Sequence, residues 1–562
     1  MRSTAGCVLS LLLAACAPDG PPPEGASVNA TSAAWFTEEA AARGLDFRHV
    51  TARSDRGEFQ IPDSVAGGGA LFDADRDGDL DVYLVQGGDF PGEHAAYPNR
   101  FYRNVGQGHF RDETEATGTG DTRFGLGCAV GDADGDGYED LFVANFGPDV
   151  LFFNESGRTF QERAAGVAGA GFSTSAAFLD ADRDGDLDLW VLDYLLWNPD
   201  VPVDCQGKRG GPEYCGPKSI NAPTTDHFYR NDGTGTFTDD SDRAGIARTP
   251  GTGLGLVAGD FDGDGFADVF VANDGWPDRL WRNRGDGTFE DIAMAMGCAV
   301  DESGQRKAGM GVTAQDIDDD GDLDLAVCNL GGETDALYRN EGTYFADRTA
   351  QWGVAQVTRV QTRFGMGWLD FDNDGWLDLY QANGCVQRPD LPADPRRPYA
   401  EPNALLAGGP TGTFRLVEPA GGTTRPLVDA SRGAAFGDVD GDGRIDVLVI
   451  NWGAAPYLLR NLTDASSGWI LFDVRNGAGS VALGATVTAI VTAPTGERRL
   501  TRDVRAAYSY CVSNDPRVHL GLGDAAGVTD VRVRWVDGTE ERFGDFEGRR
   551  VVRLQRGSGA PK

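Results

Sequence analysis

Seven nine-residue stretches share the form Asp-x-Asp-x-Asp-Gly-x-x-Asp, at 73–81, 132–140, 180–188, 260–268, 316–324, 370–378 and 438–446. Carboxylates on alternate residues around a glycine turn bring their oxygens together. Many hard oxygen donors in a flexible loop suit calcium. The expected side-chain donors stand at positions one, three, five and nine. They are Asp73, Asp75, Asp77 and Asp81; Asp132, Asp134, Asp136 and Asp140; Asp180, Asp182, Asp184 and Asp188; and Asp260, Asp262, Asp264 and Asp268. The last three loops add Asp316, Asp318, Asp320 and Asp324; Asp370, Asp372, Asp374 and Asp378; and Asp438, Asp440, Asp442 and Asp446. Position seven holds Asp79, Tyr138, Asp186, Phe266, Asp322, Trp376 or Arg444, a variety that suits a ligand acting through its backbone carbonyl.

The spacing matches an EF-hand loop at its first half and departs from it at position twelve. There an EF-hand needs a bidentate Glu, and this chain has Leu84, Val143, Val191, Val271, Val327, Gln381 or Val449. The flanks also differ, because β-prone runs such as VYLV, LFVAN and VLVIN follow the loops and small-residue runs such as GLGCAVGD precede them. Acidic surface turns without a metal are the plain alternative, but random turns do not hold one register seven times.

Loop starts lie 48 to 80 residues apart, which fits a four-stranded propeller blade with generous connections. A third strand is read at FYRN (101–104), LFFN (151–154), FYRN (228–231), LWRN (280–283), LYRN (337–340) and YLLRN (457–461). A fourth follows at phrases such as HFRDET and TFTDDS, and is missing after Asn461. Trp35-Phe36-Thr37-Glu38-Glu39 near the N-terminus supplies that phrase, so the first strand is expected to complete the last blade and remove an open sheet edge. The expected fold class is all-β, a seven-bladed β-propeller with calcium-binding Asp loops and a small C-terminal β domain.

These repeats resemble the FG-GAP/VCBS repeats of integrin α-type propellers. The runs GWILFDVRNGAGSVALGATVTAIV (468–491), YSYCVSNDPRVHLGLGD (508–524) and VRVRWVDGTEERF (531–543) are similar to the ASPIC/UnbV domain. Together they resemble the cartilage-acidic-protein-like family over about 35–556. Val536 stands where that family usually has Pro, a change that only relaxes the turn at Asp537-Gly538. The expected domains are 1–16, 17–34, a propeller at 35–462 and an ASPIC/UnbV domain at 465–556.

The formal charge is −37, and the seven loops hold 33 of the acidic residues. Such a balance argues against nucleic-acid binding. Residues 1–16 read as a secretion signal too short to span a membrane, and Leu13-Ala14-Ala15-Cys16 resembles a bacterial lipobox. Cys16 is expected to carry lipid, with the Pro-rich stretch 17–34 as a tether, which places the protein outside the cytoplasm on a bacterial outer membrane or surface. A monomer is expected. Cys205 and Cys215 share a Gly/Pro loop and are expected to pair. Cys128, Cys298, Cys328, Cys385 and Cys511 fall on or beside strand-like runs and are expected as buried thiols.

The loops between strands one and two carry the carboxylates. The long insertions, 87–99, 193–226 and 384–402, join strands two and three and therefore rise on the opposite face, where function commonly sits. Arg123, Lys307, Arg363 and Arg432 precede first strands on that face, and a basic ring receiving an anionic group is one reading of them. Packing and ion pairs with neighbouring blades is the other. A module that binds a protein or glycan is the leading functional reading, because no catalytic triad or phosphate loop stands in a supporting context. A propeller-based polysaccharide lyase or hydrolase is the alternative. It would draw on His49, His94 and His227 and on the insertion aromatics Phe90, Tyr97, Tyr194, Trp197, Tyr214 and Tyr399. His519 reads as structural.

Overall fold

The structure is a computed structural model that describes residues 34–561 apart from 51–58, 89–96, 199, 202, 209, 393 and 494–495. Cys16, Phe90, His94 and the tether as far as residue 33 lie outside the described residues.

Each acidic loop joins two antiparallel strands, as the alternation of turn and β-branched residues requires. Blade 1 runs through Gly69–Phe72, Asp81–Leu84, Arg100–Asn104 and Phe110–Asp112. Blades 2 to 6 repeat the meander from first strands Phe124–Gly131, Ser173–Leu179, Gly253–Gly259, Val312–Gln315 and Arg363–Leu369. Blade 7 takes Ser431–Gly437, Asp446–Asn451 and Tyr457–Asn461 from the end of the repeat region and Phe36–Glu38 from its beginning. Phe36 pairs with Asn461 and Glu38 with Leu459, so the ring closes as its repeat pattern implied. The third strand of blade 6, Ala404–Ala407, is the one without an expected counterpart in the sequence reading. Its sequence ends in Ala-Gly-Gly where its equivalents end in Asn.

The C-terminal domain has two sheets. One orders Val518–Gly523, Gly468–Arg475 and Arg550–Gln555. The other orders Gly496–Asp503, Thr486–Ala493, Gly527–Arg534, Glu540–Glu547 and Ala560–Pro561, so its pairing continues past residue 556. Propeller and C-terminal domain form one compact unit and share a hydrophobic core in which Phe142, Leu189 and Tyr229 join Ile470, Val487 and Leu520.

Between the two sheets the chain leaves this domain at Arg505 and returns at Arg517. The excursion enters the propeller axis. Val512–Ser513 adds as a parallel strand to the inner strand of blade 1. Ser509 exchanges backbone hydrogen bonds with Val312 of blade 5 (2.6 and 3.0 Å), and Cys511 O accepts the Cys128 N–H of blade 2. No periodic signal announces this segment, since its partners are strands that converge only when the ring is complete.

Candidate metal centres and the opposite face

The acidic loops are built by their own first residue. Asp73 accepts the N–H groups of Asp77 and Gly78 at 3.1 and 3.0 Å, and Asp132 those of Asp136 and Gly137 at 3.1 and 2.9 Å. The fourth position takes a positive φ in every loop, between 59° at Asn373 and 75° at Gly263. Gly, Asn and Asp tolerate that conformation best. Arg76 and Arg183 do not belong to that group, and each makes a contact across the loop that offsets the strain. Arg76 donates to Gly479 O of the C-terminal domain, and the Arg183 guanidinium lies 3.7 Å over the Phe266 ring.

Carboxylate oxygens of positions one, three and five lie within 4.8 Å of one another in the clusters Asp73/Asp75/Asp77, Asp132/Asp134/Asp136, Asp180/Asp182/Asp184 and Asp316/Asp318/Asp320. In blade 4 the cluster is Asp260/Asp262/Asp268. One oxygen of each of Asp75, Asp134, Asp180, Asp182, Asp260 and Asp440 is buried without a hydrogen-bond donor. Buried, unpaired carboxylate oxygens are costly unless a cation meets them, so these donor sets fit calcium. Burial, reinforced by neighbouring carboxylates, raises the Asp73 and Asp180 carboxyls to about 6 and the Asp316 and Asp438 carboxyls to about 7. A bound cation would favour their ionised forms. Arginines already moderate the charge beside the third residue: Arg103 meets Asp75 at 3.1 Å, Arg163 meets Asp134 at 3.1 Å and Arg339 meets Asp318 at 2.6 Å.

The ninth residue has a second task that the ligand reading missed. In blade 2, Asp140 accepts the Ala133 N–H at 2.8 Å with one oxygen and the Asn154 N–H at 2.7 Å with the other. Asp268 and Asp446 repeat the arrangement with Phe261 and Asn283, and with Val439 and Asn461. It thus ties the loop to the third strand of its own blade. The Asn then reaches the preceding blade. Asn154 donates to Ala74 O, Asn283 to Ala181 O, Asn340 to Phe261 O and Asn461 to Phe371 O, at 2.7 to 2.9 Å. The recurring Arg-Asn at the ends of these strands was the available signal. Asn283→Ala should cost about 1–3 kcal/mol, because Ala181 O loses its buried donor. An unchanged denaturant midpoint would contradict this role.

The C-terminal domain covers the acidic-loop face, largely through arginines. Arg498 pairs with Asp319 at 2.7 Å and donates to Gly375 O, while Arg502 donates to Asp316 O and Arg534 pairs with Asp260 at 3.3 Å. Ser480 donates to Asp132, and Arg475 pairs with Glu139 at 2.9 Å. His519 is half-buried with its ring nitrogen 3.3 Å from Gly443 O, and desolvation lowers its imidazole to about 4, in keeping with a structural role.

The opposite face holds a cavity of about 310 Å³ at the mouth of the axis. Leu254 and Phe364 come from inner strands, Met310 from just before one, Tyr194, Tyr214 and Pro217 from the insertion 193–226, and Val386 and Gln387 from 384–402. The Cys205–Cys215 disulfide forms as expected and braces the larger insertion, and the other five described cysteines are buried thiols. Leu196, Val201, Val203, Val360 and Leu391 are exposed on the insertions and connections of this face.

Arg123, Lys307, Arg363 and Arg432 do not assemble into an open basic ring. Arg363 is fully buried against Asp335 at 2.6 Å. Arg432 is 1% exposed, donates to Ser64 O, Gly384 O and Cys385 O, and lies 4.2 Å over Phe364. Arg123 pairs with Asp121 and Glu162, and Lys307 donates to Thr334. Carbonyls and carboxylates of their own or adjoining blades satisfy these four, while Lys208 and Arg388 line the cavity itself. Among the insertion aromatics, Tyr214 and Tyr399 pack with Trp452 at ring centroids 5.4 to 5.8 Å apart and Trp197 packs on Phe146, whereas Tyr97 is 40% exposed.

His49 and His227 do not meet. His49 is buried and accepts the Gly453 N–H, and burial lowers it to about 3. His227 lies between Asp193 and Asp239, and the hydrogen bond to Asp193 leads the effects that raise it to about 9. Its folded-state value exceeds the ordinary 6.5, so its contribution to stability is full below pH 6.5 and lost as pH rises through about 9. His227→Gln should flatten that part of the stability–pH curve, and an unaltered curve would contradict the assignment.

The FG-GAP-like repeat profile matches 73–143, 132–191, 219–271, 260–327 and 316–380, and the ASPIC and UnbV profile matches 476–561. Human cartilage acidic protein 1 is 26% identical over 499 residues, covering 84% of this chain and 69% of that protein. The Xenopus tropicalis protein of the same name is 26% identical over 440 residues, covering 74% of this chain and 61% of its own length. The chain therefore spans somewhat under to just over two thirds of these relatives. Among solved structures, the BP39L lectin from Burkholderia pseudomallei aligns with 11% identity and a TM-score of 0.45 over 71% of this chain and 96% of that one. YCF48 bound to D1 peptide aligns with 10% identity and a TM-score of 0.41 over 77% and 96%. Scores this low say nothing further of this chain.

Proposed function

The chain belongs to the FG-GAP-like repeat family, with an ASPIC and UnbV domain at its C-terminal end, and from that premise we propose a calcium-stabilised binding module that meets its ligand on the face opposite the acidic loops. Calcium would be held by the first, third and fifth carboxylates, with the seventh backbone carbonyl and the ninth residue completing each loop. It would supply structure and no chemistry, because loops so filled by protein oxygens leave no open position for a reactant.

One observation carries the reading. The C-terminal domain covers the acidic face, while the opposite face offers an apolar-walled cavity framed by two long insertions. A concave site with a few polar groups on a rigid scaffold is where a ligand binds. The exposed aliphatic rim favours a protein ligand over a glycan, since Leu196, Val360 and Leu391 are each at least 69% exposed. Lipid attachment at Cys16 would hold the module at a bacterial surface.

The test incubates the protein with neutral and acidic polysaccharides in calcium, and separately with a surface-protein extract passed over immobilised module. Retention lost in Leu391→Asp and Val360→Asp variants of normal melting temperature supports the reading. Release of new polysaccharide chain ends would replace it with an enzyme. Retention untouched by both variants would move the ligand away from this face.

A further inference from the structure

The axial segment reads Arg-Ala-Ala-Tyr-Ser-Tyr-Cys-Val-Ser-Asn-Asp-Pro-Arg, 505–517, with an arginine at each end and Tyr510 near its middle. Both arginines stay on the acidic-loop face. Arg505 donates to Ala314 O at 2.6 Å, two residues before the fifth loop, and pairs with Asp503. Arg517 pairs with Asp515 and donates to Asp438 O of the seventh loop at 3.2 Å and Gly78 O of the first loop at 3.3 Å. Its ends are therefore attached to the backbone of loops whose carboxylates crowd together.

The middle of the segment reaches the other face. Tyr510 OH donates to Val65 O at 2.7 Å, and its ring packs edge-on against Phe364 at 4.9 Å. Val65 and Phe364 both line the opposite-face cavity. Tyr510 is fully buried directly beneath that floor. Between ends and tip, Ser509 Oγ donates to Ala434 O of blade 7 at 2.8 Å and accepts the Met366 N–H of blade 6 at 3.0 Å. Cys511 N–H donates to Ser175 Oγ of blade 3 at 3.0 Å. Ser509 and Cys511, on either side of Tyr510, hold positive φ values of 81° and 56°. Non-glycine residues keep that conformation only where surrounding contacts dictate it, and such strain clusters at switch and clamp positions.

We propose that this segment couples the two faces: cation binding in the loops fixes its ends, and Tyr510 transmits that order to the cavity floor. The coupling rests on the calcium reading of the loops. Loops without cation repel internally and hold Gly78 O and Asp438 O less firmly, so Arg517 and the segment loosen with them. Tyr510 then supports Val65 and Phe364 less well, and the cavity loses definition. Tyr510 acts as a positioning residue from a domain that contributes no side chain to the cavity wall.

Hydrogen exchange of the full chain, with and without calcium, tests this. Calcium is expected to slow exchange in the loops and, by about 5-fold or more, in segments 61–69 and 362–368. In Tyr510→Ala the loop protection should remain while the calcium effect at 61–69 and 362–368 disappears. Tyr510→Phe lacks only the hydroxyl and should lose the effect mainly at 61–69, which decides the matter if the Ala variant does not fold. Protection confined to the loops in the unaltered chain would overturn the coupling and leave the calcium reading intact. Far-face protection undiminished in both variants would also overturn it. No calcium effect anywhere would overturn coupling and calcium reading together.

Discussion

Chelating calcium is expected to lower the melting temperature by about 10 °C or more, and returning calcium to restore it. Six position-one or position-three carboxylates keep a buried oxygen without a donor, and burial raises several loop carboxyls to about 6 or 7. Ionising such clusters at neutral pH without a counter-charge works against the fold. A ligand bound only by the folded state contributes about 2.7 kcal/mol per site at a hundred-fold excess over its Kd. About 1 kcal/mol moves the midpoint of a 150–250-residue domain by roughly 2–4 °C, and less for a longer chain, so several loops together give a shift of this order. Scanning calorimetry in EDTA, then with calcium or magnesium added, checks it. Magnesium should restore less, because it demands near-octahedral geometry and dehydrates reluctantly. A midpoint that moves by less than about 1 °C would remove calcium from this account. The C-terminal domain should loosen in the same transition, since Arg498, Arg502, Arg517 and Arg534 hold it to the loops.

Arg363→Met destabilises the protein by about 3–5 kcal/mol, whereas Arg123→Met costs no more than about 1 kcal/mol. Both arginines stand in Thr-Arg-Phe-Gly at the start of an inner strand. Burial separates them. Arg363 and Asp335 are both wholly inaccessible and meet at 2.6 Å, and Arg363 also donates to Glu333 O and Gln361 O. Removing the guanidinium leaves the Asp335 carboxylate with the Gln381 amide and the Asn329 N–H in a fully buried site. Removing one member of a buried pair strands the other charge, which is where the large cost arises. Arg123 is about one third exposed and solvent can replace its pair with Glu162, while Asp121 keeps the Arg123 backbone N–H and the Asn145 amide as donors. Denaturant unfolding of the two variants distinguishes the cases. Equal costs would contradict the buried-pair assignment. Loss of ligand retention in Arg363→Met alone would accordingly report unfolding rather than a lost anion contact.

The two arginines illustrate why part of this protein is legible in one dimension. Thr-Arg-Phe-Gly specifies an inner strand and its register equally well in blades 2 and 6. Whether the arginine meets a carboxylate in the dark or in water depends on Asp335, twenty-eight residues away on another blade. The ninth aspartate behaves the same way. Its type and spacing suggested a ligand, and only the closed blade shows that its two oxygens also accept the N–H groups of residues 133 and 154 in blade 2. Blade 6 escaped part of the pattern because Gly408 stands where other blades have Asn, removing the staple that marks the strand end.

By itself the sequence determined the seven loops, the blade meander, closure through Phe36–Glu38 and the Cys205–Cys215 bridge. Each of these rests on short-range chemistry or on a repeated register, and both are written along the chain. Only the tertiary structure decided that the C-terminal domain covers the acidic loops and that Tyr510 crosses the axis to Val65, 445 residues away. It alone decided that Arg363 and Arg432 of the supposed basic ring are buried within the propeller. Those outcomes depend on contacts between distant segments that exist only once the ring has closed, and no local spacing encodes them.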